Sequence, residues 1–151
     1  MTTKPLAETP RLTLEAAEQI ADAALAAGRR ASPDALSVVV LDGGGHVKVV
    51  KREDGCPFLI ATVAHAKAYG SIALGRPSSV LAQFGLAVPN LIPALAAMTG
   101  GQVMPASGGV LIRTASGEML GAIGVSGGAA EHDEKAAIAG VRAAGLVPEP
   151  G

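Results

Sequence analysis

Leu36-Ser37-Val38-Val39-Val40-Leu41, then Asp42-Gly43-Gly44-Gly45-His46, then Val47-Lys48-Val49-Val50-Lys51-Arg52: the reading of this run decides the fold. The first piece is β-branched and apolar, which suits a short buried strand. The middle five residues are turn formers. The last piece is a second strand, so the three together predict a β-hairpin. A hairpin means antiparallel pairing. A dinucleotide-binding unit would instead run from a strand into a helix through its glycines. Gly43 to Gly45 lie between two strands, so the dinucleotide and P-loop readings are set aside.

Upstream, Thr13 to Arg30 predicts a helix. Leu14, Ala17, Ile20, Ala21, Ala24 and Leu25 recur at helical spacing. Thr13 is the candidate N-cap, Glu15 and Glu18 suit the positive end, and Arg29 and Arg30 suit the negative end. Residues 1–11, with Pro5 and Pro10, read as a loose tail. Downstream, Glu53 to Pro57 is a loop and Phe58 to Leu74 a small-residue-rich helix. Gly75-Arg76-Pro77 ends it, and Ser78 or Ser79 can cap a short helix through Phe84. A helical piece is expected near Leu91 to Met98. Gly109 to Thr114 and Met119 to Val125 form a second hairpin around Ala115-Ser116-Gly117-Glu118. Val103-Met104 is a candidate edge strand before Pro105, since proline is barred from central strands. A last helix spans about Glu131 to Ala144, ended by Gly145, with Pro148 and Pro150 in the tail. The order α-β-β-α-α-β-β-α predicts an α+β domain over residues 12–147, with an antiparallel sheet of about five strands packed with helices.

Composition narrows the function classes. Of 151 residues, 49% are hydrophobic and 17% charged, so the chain can bury a core and global disorder is excluded. The net charge is −1, with two Phe, one Tyr and no Trp. A nucleic-acid binder would carry clustered Lys and Arg, and a single-strand binder stacking aromatics as well, so neither is expected. No run reaches the roughly 18 apolar residues of a membrane span. The start has no apolar segment of secretory type, and the expectation is a cytoplasmic protein with no membrane partner. Mean hydropathy of +0.40 is high. Some apolar surface is therefore expected between subunits of a homo-oligomer.

Few residues can carry chemistry. Ser126-Gly127-Gly128 precedes a helix, where free amides and the helix dipole favour an anion. With Gly108 and Gly109 they suggest a glycine-lined pocket, although turns and bulges are the plainer reading of any one glycine cluster. No two of His46, His65 and His132 have metal-ligand spacing, and Cys56 has no second cysteine to support zinc. His65 stands four residues before Tyr69, so the two share a helix face. His65 and His132 are the possible axial ligands for a haem iron, against a plain structural or solvated role for each. Lys67, in an alanine-rich helix, is either an exposed lysine or a buried one that needs an anion. Asp42 ends a strand before glycines, which suits an Asx-turn as well as a pocket, and Arg52 is a candidate partner for it. Cys56 lacks a neighbouring base in sequence and is read as inert.

Several stretches together resemble a known family. Val39-Val40-Leu41-Asp42-Gly43-Gly44-Gly45-His46 is similar to a "VVDxGGHL" hairpin. Ala66-Lys67-Ala68-Tyr69 followed by Gly75-Arg76-Pro77-Ser78 is similar to a "KAyTA…GRPT" helix and turn. Gly108-Gly109-Val110 resembles "GGxP". Gly121 to Gly128 followed by His132-Asp133-Glu134 resembles "GAIGVSGG…qDE". In this order and spacing they resemble the GlcG/HbpS family, whose domain also ends PduO-type proteins. The resemblance covers about residues 12–145. It implies a profilin-like or PAS-like domain, dimers assembling further (often to octamers), and haem binding in some members. The chain departs from the family pattern at His65, where an arginine-like residue is usual, and at Ala66, where an acidic one is. Its first helix has no histidine.

Three functions compete on this footing. The first is a haem or tetrapyrrole binder. His65, Tyr69 or His132 would ligate, Phe58 would line an apolar slot, and Arg52, Lys67 and Arg76 would meet the propionates. The second is a cofactor-independent enzyme on a small organic acid. Ser126 to Gly128 would hold the anion, and Lys67, His65 or Asp133 would move the proton. The third is a non-catalytic assembly or sensor domain.

Overall fold

The computed structural model describes residues 10–151. Most of the tail expected over residues 1–11 therefore lies outside the described residues. The deciding hairpin forms as β1 (Ser37–Asp42) and β2 (Val47–Arg52), with Ser37 opposite Arg52. A bulge between Val40 and Leu41 sets Leu41 opposite Val47. Before it runs α1 (Leu14–Ala31). After it come α2 (Phe58–Leu74), α3 (Ser78–Ala87) and α4 (Leu91–Met98). The second hairpin is β3 (Gly109–Arg113) with β4 (Met119–Ser126), followed by α5 (Ala130–Ala143) and β5 (Val147–Glu149). The sheet order is β2-β1-β4-β3-β5, antiparallel throughout. The two hairpins join along β1 and β4, from Ser37 opposite Ser126 to Asp42 opposite Gly121. This is the expected α+β architecture, with a five-stranded sheet and five helices.

Thr13 caps α1 as expected: its Oγ1 accepts the Ala16 amide at 3.1 Å. Thr13→Ala should therefore cost about 1 kcal/mol. Urea unfolding would read this as a lower midpoint at unchanged slope, and a loss of only a few tenths would show the cap to be idle.

Two expectations are corrected. The fifth strand is not Val103-Met104 but Val147–Glu149, which pairs with β3. Pro148 is tolerated there because β5 is an edge strand, where an outward position needs no amide donor. An ion pair between Arg113 and Glu149 clamps the edge. Val103 is instead buried and packs at Gly70 of α2. Nor does Ser78 cap α3. Its hydroxyl accepts the Gly109 amide at 2.7 Å and donates to the Ala106 carbonyl at 2.5 Å. That ties the start of α3 to the start of β3.

Three layers result. Residues of α1 and α5 cover one face, where Ile20, Val38, Val40, Ile112, Ile123 and Val141 form the larger core. The smaller core lies between the other face and α2, with Val39, Leu41, Leu111 and Ala122 meeting Ala64 and Ala68. Alanines on both sides let α2 approach the sheet closely. Gly109 and Gly124 stand opposite each other on adjacent strands. Above them pass the Lys67 and Ala64 carbonyls of α2, with no room for a side chain between. No single helix among the described residues is long and apolar enough to cross a membrane.

Candidate functional site

The close seating of α2 carries Lys67 inside the protein. Lys67 is 3% exposed and Asp133, in the first turn of α5, is 1% exposed. The ammonium lies 3.0 Å from Asp133 Oδ2 and donates to the Val125 carbonyl at 2.9 Å. The other carboxylate oxygen, Oδ1, accepts the Gly128 amide at 3.0 Å. Burial pushes the Asp133 carboxyl above its ordinary range, while Lys67 and the Gly128 amide pull against that shift. Gly108 closes the pair over, with φ +123°. A Cβ there would lie 3.0 Å from Lys67 Nζ.

This geometry corrects two sequence expectations. The anion expected at Ser126-Gly127-Gly128 is the chain's own: the Gly128 amide is taken by Asp133. Ser126 is a buried strand residue and Gly127 packs on the Ala35 carbonyl. Gly108 and Gly109 seat Lys67 and α2 rather than line an open pocket. For the same reason Lys67 and Asp133 are not placed to act on a substrate. Each is buried against the other, and together they join α2, β4 and α5. Sequence gave Lys67 an anion in one of its two readings, and the structure supplies that anion 66 residues away.

His65 is placed differently. It lies half-buried on α2, its ring stacked on Tyr69 with centroids 5.9 Å apart and planes 21° from parallel. Burial lowers its pKa, which favours the neutral imidazole. Tyr69 reaches the hairpin tip, where a Cβ on Gly45 would meet its ring at 3.7 Å. Phe58, seven residues before His65 and so on the same helical stripe, is 83% exposed. Beside this stripe runs the edge strand β2. Val50 and Val47 stand opposite Val39 and Leu41, whose side chains face α2. Both valines are nonetheless exposed, as is Leu59. The result is an open apolar face with one histidine in it. Sequence reading found His65, Tyr69 and Phe58 but missed Val47 and Val50. The signal would have been β2 as an edge strand, half uncovered by a helix that sits over β1 and β4.

The remaining candidates are scattered. Asp42 forms the Asx-turn: its Oδ1 accepts the Gly44 and His46 amides at 2.9 and 3.0 Å. Its burial raises the pKa, but those two amides and the His46 ring outweigh this and hold it below the usual value. Arg52 does not pair with Asp42, because the two occupy opposite ends of the hairpin. Its guanidinium donates to the Cys56 carbonyl at 2.5 Å, just before α2 and Phe58. His132 is exposed at the start of α5, away from Tyr69 on α2. Cys56 is buried beside Ser37. Among the described residues no three His, Cys, Asp or Glu side chains gather as a metal cluster.

Known structures share this architecture. The chain superposes on a structure described as the PduOC:heme complex with a TM-score of 0.82, at 21% identity, over 93% of this chain and 99% of that one. It is similar to ORFY of Klebsiella pneumoniae, with a TM-score of 0.81 at 21% identity, over 95% and 98% of the two chains. Its likeness to HbpS is closer in sequence: 30% identity, TM-score 0.78, over 94% of this chain and 97% of that one. No curated protein matches the chain. A family profile described as "Haem degrading protein HbpS-like" matches residues 12–142. Profile and fold agree over nearly the whole chain, which therefore belongs to the HbpS-like haem-degrading protein family.

Proposed function

We propose that the chain binds haem or a related flat tetrapyrrole on the face between α2 and β2, where His65 would ligate the iron, within a homo-oligomer. The observation that carries this is His65 itself: a half-buried imidazole, whose neutral form burial favours, set in exposed apolar surface. A neutral ring nitrogen is the form that binds iron. The surrounding residues fit the group. Phe58, Val47 and Val50 offer an apolar seat. Arg52, at the end of β2, offers a guanidinium suited to a propionate carboxylate. Tyr69 stacks on the imidazole ring. Haem bound there would supply a redox-active iron, while the chain supplies the ligating nitrogen, the apolar seat and the cation. The face is open, so one protomer covers only one side of a flat ligand. A second copy would close the other side, which also answers for the high hydropathy.

The proton-transfer reading is weaker, because two of its three candidate groups, Lys67 and Asp133, are sealed and only His65 remains accessible to a substrate. The third reading, assembly without a ligand, leaves a half-buried histidine in apolar surface without a task.

Haem titration of the purified chain, with size-exclusion elution of the same sample, tests the proposal. A saturable Soret change is expected at one haem per protomer. His65→Ala should weaken it by at least about tenfold, or 1.4 kcal/mol, and His132→Ala should leave it unchanged. A response that never saturates, or that is indifferent to His65, would overturn the proposal.

A further inference from the structure

A second concave site lies far along α2 from Phe58, where that helix ends against α3 and α3 in turn carries α4. Leu74, Leu81, Phe84, Ile92 and Leu95 line a cavity of about 320 Å³. Arg76 stands at it as the sole charged lining residue. The Arg76 side chain is exposed and makes no hydrogen bond or ion pair among the described residues. Such a slot matches a ligand with an apolar body and one anionic head. A guanidinium binds a carboxylate through paired N–H donors, and the apolar walls reward burial of a hydrocarbon tail.

The walls can also adapt. Among the elements, α4 packs only against α3, and none of its residues is buried. Gly85 of α3 lets the two helices touch directly, since a Cβ there would lie 2.9 Å from Ile92. A helix held on one side by one neighbour can swing over a tail without disturbing the sheet. The volume sits near the lower limit for small-molecule pockets. It suits a short hydrocarbon chain rather than a large rigid ring system.

We infer that the α2–α3–α4 slot is a binding site for an amphipathic monocarboxylate, with Arg76 holding the carboxylate and α4 closing on the tail. The site shares no residue with the proposed haem face, so either can fail alone.

The chain has no tryptophan, so Phe84→Trp places a single reporter in the slot. Decanoate should shift its emission to the blue and saturate below about 1 mM, with 1-decanol at least about tenfold weaker. Arg76→Gln should erase that preference while leaving the haem titration unchanged. Saturation-transfer NMR of decanoate on the unsubstituted chain guards against a reporter that disturbs the slot. If decanol bound as well as decanoate, or neither saturated in both measurements, the inference would be wrong. A decanoate response abolished as the chain self-associates would also overturn it, by assigning the slot to a second copy.

Discussion

Lys67→Met loses about 3–5 kcal/mol of stability at pH 7, the range for removing one partner of a buried ion pair. Methionine keeps most of the aliphatic stem, so the loss isolates the ammonium. Without it, Asp133 is left buried with one amide donor, and the Val125 carbonyl loses its donor from Nζ. Burial already raises the Asp133 carboxyl, and Lys67 is the main opposing influence. Its removal therefore moves the folded-state pKa higher still, above the unfolded value near 3.9. A group whose folded pKa is raised favours folding at low pH and loses that contribution as pH rises through the folded value. The variant should thus recover part of its deficit as pH falls from 7 to about the unfolded carboxyl value, as Asp133 takes up a proton. Urea unfolding at the two values measures this. An equal deficit at both would mean that the charge left on Asp133 is not the cause. Lys67→Met with Asp133→Leu should recover at least half the single-variant loss at pH 7, since no buried charge then remains. The Gly128 amide would still lack an acceptor, which prevents full recovery.

The same pair shows how far the sequence could be read. An alanine-rich helix with one lysine posed the question of an anion, and Gly128 before α5 posed the question of a donor seeking one. Each half was visible, but their joining was not, because nothing local in residues 67 and 133 records that α2 and α5 meet across the end of β4. The hairpins were legible for the opposite reason. Their strands are contiguous, and β-branched runs flanking Asp42-Gly43-Gly44-Gly45 need no distant partner to declare themselves. The fifth strand was not legible, because three residues containing Pro148 carry no alternating pattern. Only the free edge of β3 makes them a strand. Arg52 was misplaced by a related error: hairpin ends were treated as neighbours, when Asp42 lies at the turn and Arg52 at the open end.

Gly124→Ala should be about as damaging as loss of the lysine, although it adds one methyl group and removes no bond. Sequence reading placed Gly124 inside a strand and read the glycine clusters as turns, bulges or a ligand pocket. Gly124 serves none of these: it is a mid-strand residue with α2 lying on it. A Cβ there would fall far inside contact with the Ala64 carbonyl and 3.0 Å from the Ala68 amide. These are backbone atoms, so no rotamer change can relieve the clash. The helix must lift as a body, which opens the packing of Ala64 and Ala68 on Val39, Leu111 and Ala122. Overpacking a core costs typically 1–3 kcal/mol, and more where the backbone must move, so about 3 kcal/mol is expected. Lifting α2 also stretches Lys67 away from Asp133, which couples the two predictions. In Gly124→Ala, adding Lys67→Met should then cost clearly less than it does alone, because part of that interaction is already gone. Strict additivity of the two losses in urea unfolding would show that α2 tolerates the methyl group without moving, and that the glycine is there for some reason other than the helix above it.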